Sequence, residues 1–249
     1  MSAQIRAVEI DVNSEVVAGT MLAPKADMPG ILFVHGWGGN RQRDLHRAER
    51  MAGLGCQCLT FDLRGHERTK QQREIVSRAD NLHDVLAAYD FLAGQPSIDA
   101  TNIGVIGTSY GGYLSALLTT HRPVRWLALR APALYQDEEW CLPKVALDRA
   151  ALMRYRNTRL TANENLALKA CSGFYGDVLI VESETDDFVP HQTICNYRIS
   201  FENASSMTHR IIRGADHALS LEKSQKSYSA ILHEWIAEMV IGARVQPAG

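Results

Sequence analysis

Gly107-Thr108-Ser109-Tyr110-Gly111-Gly112 is the stretch whose reading decides the fold of this chain. Before it stands the apolar run Ile103-Gly104-Val105-Ile106, the mark of a strand buried on both faces. After it, Tyr110 to Thr120 reads as a helix. A G-x-S-x-G pentapeptide alone is common. Between a buried strand and a helix it describes a tight, strained turn, with small residues on both sides because larger ones do not fit. Such a turn carries the serine hydroxyl to the C-terminal end of the strand. The helix that follows favours negative charge developing at its N-terminus.

Working outward, strand and helix patterns alternate. Ile5 to Val12 and Val16 to Leu22 read as an opening hairpin with its turn at Asn13-Ser14. Short apolar strands are expected at Ile31–Val34, Cys56–Phe61, Trp126–Leu129, Val178–Val181 and His209–Ile212. Helices are expected at Arg41–Leu54, with Gly55 as a stop, and at Pro190–Glu202. Ala79, Leu82, Val85, Leu86, Tyr89 and Leu92 form one helical stripe; Tyr228, Ile231, Leu232, Trp235, Ile236 and Met239 form another. Continuous apolar strands between amphipathic helices predict an α/β fold with a mostly parallel sheet covered on both faces.

The 249 residues suit one α/β domain, 1–249, with a core that needs no disulfide or metal staple. One segment breaks the rhythm. About 40 residues, 132–173, separate two strands where a shorter crossover would suffice, so a cap-like insertion over one end of the sheet is expected there. It includes a helix-like piece at Val145–Arg156. Arg149, Arg154, Arg156 and Arg159 within it read as a solvated helical face.

A net charge of −2, with both signs interspersed, announces no basic face, and nucleic acid is not expected as a partner. No apolar run is long enough to span a membrane, and the N-terminus has no apolar signal core, so a cytoplasmic location is the default expectation. The five cysteines (Cys56, Cys58, Cys141, Cys171 and Cys195) include no C-x-x-C pair and read as buried thiols in a reducing compartment.

A neutral serine hydroxyl needs a base, and the base needs an orienting acid. Gly214-Ala215-Asp216-His217 follows the strand ending at Ile212, and Glu184-Thr185-Asp186-Asp187 follows the strand at 178–181. Both lie just past strand C-termini, on the same sheet edge as Ser109. His217 is therefore the expected base. His46, His83 and His233 lie on helix patterns, His121 and His191 near helix ends, and His209 before a strand. The acid stays open among Asp186, Asp187 and Glu184; Asp216 adjoins His217 too closely for easy geometry. His35-Gly36-Trp37-Gly38-Gly39 follows the buried strand at 31–34. Its Trp37 N–H, with the Tyr110 N–H, is expected to form the oxyanion hole. The loop has neither G-x-G-x-x-G nor a following lysine, against a phosphate cradle.

Taken together, these motifs resemble the α/β-hydrolase superfamily from about Pro29 to Val240. The chain is similar to its branch of small bacterial serine esterases and dienelactone-hydrolase-like proteins. The resemblance rests on 35–39, Phe61-Asp62-Leu63-Arg64-Gly65-His66, 107–112, Asp186-Asp187-Phe188-Val189-Pro190 and Asp216-His217. It implies Asp186 as the acid, three residues before the valine of a D-x-x-V-P run, with Asp187 as fallback. It also implies that Asp62, Arg64 and His66 shape a loop rather than react. Glu67 stands where the family often has glycine, so that loop is expected to differ locally. Dienelactone hydrolases usually carry a cysteine nucleophile, and Ser109 favours ester hydrolysis instead.

The expectation is thus a serine hydrolase acting on a small-molecule carboxylic ester through an acyl-enzyme, with no cofactor and no metal. Two rivals stand beside it. One is amide or peptide hydrolysis of the prolyl-oligopeptidase-like type, disfavoured by the lack of room for a large N-terminal propeller. The other is a non-catalytic ligand-binding protein on a hydrolase scaffold.

Overall fold

The computed structural model describes residues 4–12, 15–23 and 28–245. The turn expected at Asn13-Ser14 lies outside the described residues. Its two strands, β1 (Gln4–Val12) and β2 (Glu15–Ala23), pair antiparallel along their length. β3 (Met28–Val34), β4 (Gln57–Phe61), β5 (Ile98–Thr108), β6 (Trp126–Arg130), β7 (Asp177–Ser183) and β8 (Ser206–Ile212) complete an eight-stranded sheet. Its order is β1-β2-β4-β3-β5-β6-β7-β8, and the six strands from β4 to β8 in that order run parallel.

Strand side chains alternate between the two faces, so each strand serves two cores. Leu32, Val34, Val105, Leu127, Leu129, Val178 and Ile180 face one core. It is covered by α2 (Arg78–Ala93), α3 (Tyr110–Leu118), α5 (Leu166–Ser172) and α6 (His191–Ser200). Ile31, Phe33, Ile106, Trp126, Ala128, Leu179 and Val181 face the other, under α1 (Gln42–Gly53) and α7 (Glu222–Val245). This double covering is why the strands read as continuous apolar runs. Among the described residues no helix is long and apolar enough to cross a membrane.

The long β6–β7 connection differs from its sequence reading in three respects. Its last part, α5, buries Ala167, Leu168, Ala170 and Cys171 in the core against α3 and is the ordinary crossover helix. The piece expected as one helix from Val145 splits. Lys144–Ala146 is a single 3-10 turn, and α4 (Arg149–Arg156) begins only where Asp148 accepts the Ala150 and Ala151 N–H groups at 2.8 and 3.1 Å. The arginine face is not uniformly solvated. Arg149, Arg154 and Arg159 are exposed, but Arg156 is buried, donating from Nε to the Leu134 carbonyl and from Nη1 to the Phe188 carbonyl at 2.8 Å. It faces inward because those carbonyls satisfy its guanidinium where water does not reach.

The cysteines form no disulfide. Cys56, Cys58 and Cys171 are buried as expected, whereas Cys141 is exposed and Cys195 half-buried.

Candidate active site

The turn after β5 is built around two glycines. A Cβ at Gly107 would lie 2.5 Å from Ser115 Oγ and 2.6 Å from the Gly111 carbonyl oxygen. A Cβ at Gly111 would collide with the Val34 carbonyl oxygen, so α3 could not sit against β3. Between them Ser109 takes φ 52° and ψ −112°, a left-handed conformation that a residue with a Cβ adopts at a cost. Its backbone is held from three sides. Its N–H donates to the Arg130 carbonyl at 2.8 Å, and its carbonyl accepts from the Tyr113 and Ala133 N–H groups.

The strand-end loops converge on the serine. His217 Nε2 lies 2.9 Å from Ser109 Oγ, and His217 Nδ1 lies 2.6 Å from Asp186 Oδ2. The second oxygen of Asp186 accepts the Phe188 and Val189 N–H groups at 2.9 and 2.8 Å, which fixes the carboxylate's orientation. With Asp186 accepting, Nδ1 carries the proton and Nε2 offers its lone pair to the serine hydroxyl. The other acids are occupied or turned away. Glu184 accepts the Gly214 N–H at 2.7 Å, Asp216 accepts the Ser220 N–H at 2.7 Å, and Asp187 is exposed.

Trp37 lies in the glycine-rich turn after β3, and among the described residues neither its N–H nor that of Tyr110 has a hydrogen-bond acceptor. Two histidines shape this turn. His66 Nε2 accepts the Gly38 N–H at 3.0 Å, and its Nδ1 faces the Leu63 and Arg64 carbonyls at 3.2 Å. His35 Nε2 accepts the Leu63 N–H at 3.1 Å, and its Nδ1 donates to the Gly36 carbonyl at 2.8 Å. Both rings must be neutral to accept there. Burial holds each of them down to about 4, which keeps them so. The remaining loop residues are structural. Asp62 accepts from the Arg41 N–H and Nη1, and Arg64 donates to Asp84. Glu67 has φ 42°, the left-handed backbone that glycine adopts freely, and its carboxylate accepts from Asn40 Nδ2 at 2.8 Å.

Sequence reasoning missed Arg130 and Lys144. Arg130, at the end of β6, is buried, and both of its terminal nitrogens donate to the His217 carbonyl, Nη1 at 2.7 Å. Lys144 comes from the β6–β7 connection, where its N–H donates to the Val76 carbonyl at 3.3 Å. Neither belongs to a motif, so no local signal marks them. Ser109 and His217 open onto a cavity of about 1040 Å³ whose walls include Trp37, Tyr135, Lys144, Leu152 and Phe188.

Residues 28–173 match the family model described as serine aminopeptidase, S33. An uncharacterized protein of Mycobacterium tuberculosis is 27% identical over 164 residues, 65% of this chain and 54% of that protein. The quorum-quenching protein AidA of Acinetobacter baumannii is 31% identical over 109 residues, 42% of this chain and 36% of that protein. The matched stretch thus spans about half the length, or less, of these curated relatives. Among solved structures, a dienelactone hydrolase from Anabaena variabilis superposes with a TM-score of 0.70 at 19% identity, covering 96% of this chain and 99% of that one. An acylaminoacyl peptidase of Pyrococcus horikoshii does so at 0.73 and 16%, covering 96% of this chain and 42% of that one. At such identities the likeness is one of fold.

Proposed function

The chain belongs to the serine aminopeptidase, S33 family of α/β-hydrolases, and from that premise we propose that it is a hydrolase that cleaves a carboxylic ester of a small molecule with Ser109 as nucleophile. One observation carries the reading: the unbroken contact from Ser109 Oγ through His217 to Asp186, at 2.9 and 2.6 Å, on the wall of an open cavity. A hydroxyl, an imidazole and a carboxylate in that order are what acyl transfer requires.

In this reading Ser109 Oγ attacks the ester carbonyl while His217 Nε2 takes its proton. Asp186 stabilises the imidazolium and keeps its ring in place. The Trp37 and Tyr110 amides donate to the oxyanion, each worth on the order of 100- to 1,000-fold in turnover. His217 then protonates the leaving alcohol, and water, deprotonated by the same imidazole, releases the acid. The chain acts as one domain, and residues 132–173, less their core helix α5, cover the site as a cap. The substrate is a small molecule rather than a nucleic acid or a membrane surface.

Peptide hydrolysis is the second reading, favoured by the family description. Cleavage at a free amino terminus brings an ammonium into the site. Asp44 is the one carboxylate on the described cavity walls, and it already accepts from Arg47 at 2.9 Å, which speaks against that substrate. Matched 4-nitrophenyl esters and 4-nitroanilides separate the readings. We expect ester turnover at least 100-fold above anilide turnover, lost in Ser109→Ala. Undiminished hydrolysis by that variant sinks the proposal, and equal rates on both substrates favour the peptidase. Failure of a fluorophosphonate to label Ser109 in the folded protein favours a non-catalytic binding role.

A further inference from the structure

A serine and an imidazole need no cations around them to transfer an acyl group, yet the described walls of this cavity carry Arg43, Arg47, Arg130, Lys144, Arg149 and Arg156. Two of the six are compensated locally. Arg47 pairs with Asp44 at 2.9 Å, and Arg130 feels the charge of Asp186. On the cap side no such compensation exists. Among the described residues no carboxylate lies within ion-pair distance of Lys144 or Arg156.

What surrounds these two cations is aromatic. Lys144 Nζ lies 4.7, 5.3 and 5.4 Å from the ring centroids of Trp37, Tyr110 and Tyr135. The Arg156 guanidinium lies 4.9 Å from the same Tyr135 ring. The Arg78 guanidinium lies 5.2 Å from that ring too, so three like charges face it, and Arg73 adds a fourth over Trp37 at 4.6 Å. Burial pushes the Lys144 ammonium below the usual lysine range, and the charges of Arg156 and Arg73 push it the same way. Ring faces attract a cation only weakly and do not replace a full counter-charge. The arrangement is also rigid. The Lys144 backbone is tied to Val76, Pro143 bridges Ser77, and Arg156 is pinned by two carbonyls. A half-buried ammonium and a buried guanidinium beside a nucleophile, with no carboxylate among the described residues to pair with either, suit a negatively charged substrate group.

We propose that the cap side of the cavity is an anion subsite in which Lys144, with Arg156 beside it, receives a carboxylate carried by the substrate close to its scissile bond. The same cations repel a free ammonium. The choice of esters as probes rests on the hydrolase reading above; the subsite itself rests on the uncompensated charge.

Two matched pairs test it, one for each side of the ester: 4-nitrophenyl hydrogen glutarate against 4-nitrophenyl valerate, and 4-carboxyphenyl valerate against phenyl valerate. The native protein is expected to favour the charged member of at least one pair tenfold or more in kcat/KM, mainly through KM. Raising salt should shrink that preference. Lys144→Met should lower it about tenfold, and Lys144→Arg should keep most of it. No preference in either pair, or an equal preference in Lys144→Met, overturns the subsite. Calorimetry on Ser109→Ala with monoethyl glutarate and ethyl valerate needs no turnover. If no ester is hydrolysed but the charged ligand binds more tightly, and loses that advantage with Lys144→Met, the ester reading falls and the subsite stands. If the two ligands bind equally and neither ester pair shows a preference, the subsite falls.

Discussion

The buried guanidinium of Arg130 holds the backbone carbonyl of His217 with both terminal nitrogens, Nη1 at 2.7 Å. The loop that delivers the imidazole to Ser109 is thus clamped to the end of β6 through its backbone. Arg130→Met should lower kcat on the best ester about tenfold or more, with a smaller change in KM. Stability should fall as well, because the His217 carbonyl loses its donors, at a cost of about 1–3 kcal/mol. Arg130→Lys should recover part of both, since it restores one donor. Steady-state kinetics and urea midpoints on the two variants check this; unchanged kcat in Arg130→Met refutes the clamp.

Ser109 sits at φ 52° and ψ −112°, which glycine reaches without strain. Ser109→Gly should therefore abolish hydrolysis while raising stability, by about 1 kcal/mol once the strain relieved is set against the added unfolded-state freedom. Ser109→Ala loses the same hydroxyl but keeps the strain. A thermal melt that ranks Ser109→Gly no higher than Ser109→Ala contradicts this.

Two adjacent aspartates should behave differently. Asp186→Asn leaves the geometry nearly intact but removes the charge that stabilises the imidazolium, and kcat should fall roughly 100- to 10,000-fold. Asp187 is exposed, and Asp187→Asn should stay within about twofold, since surface changes of this kind alter little. Comparable losses in both variants would return the choice of acid to the open state it has in the sequence.

His35 and His66 titrate in the fold at about 4, against about 6.5 for the unfolded chain. As pH falls the unfolded chain takes up these protons first. The stability the two rings contribute is therefore complete above pH 6.5, is lost between about 6.5 and 4, and changes no further below that. Each ring carries on the order of 3 kcal/mol across this window. In His66→Gln one of the two titrations disappears, so the dependence of unfolding free energy on pH between 5 and 6.5 should become shallower by about one proton. An unchanged slope would mean that His66 is not held neutral.

Much of the fold is legible residue by residue. The runs at 31–34, 103–106 and 178–181 read as doubly buried strands because both faces of the sheet are covered by helices. The meeting of residues 109, 186 and 217 was foreseeable for a topological reason: loops that follow parallel strands all emerge at one edge of the sheet. The β6–β7 connection was less legible. Lys144–Ala146 and α4 read as one helix because helical spacing continues across 147–148, where Asp148 caps α4 instead. Arg156 read as a surface residue because arginine usually is one. Only the two carbonyls it meets, those of Leu134 and Phe188, explain its burial.

The sequence by itself determined what is local: the strand-turn-helix around Ser109, the glycines that permit it, and the order in which acid and base follow. These depend on sterics and hydropathy within a few residues. Only the tertiary structure shows that Asp186 faces His217 while Asp187 is exposed, because adjacent carboxylates differ only in the direction each points. It alone brought Arg130 to the His217 carbonyl and Lys144 into a cage of Trp37, Tyr110 and Tyr135. All of those contacts except Lys144 with Tyr135 join residues dozens of positions apart, and an electrostatic field is set by distance in space, which spacing along the chain does not encode.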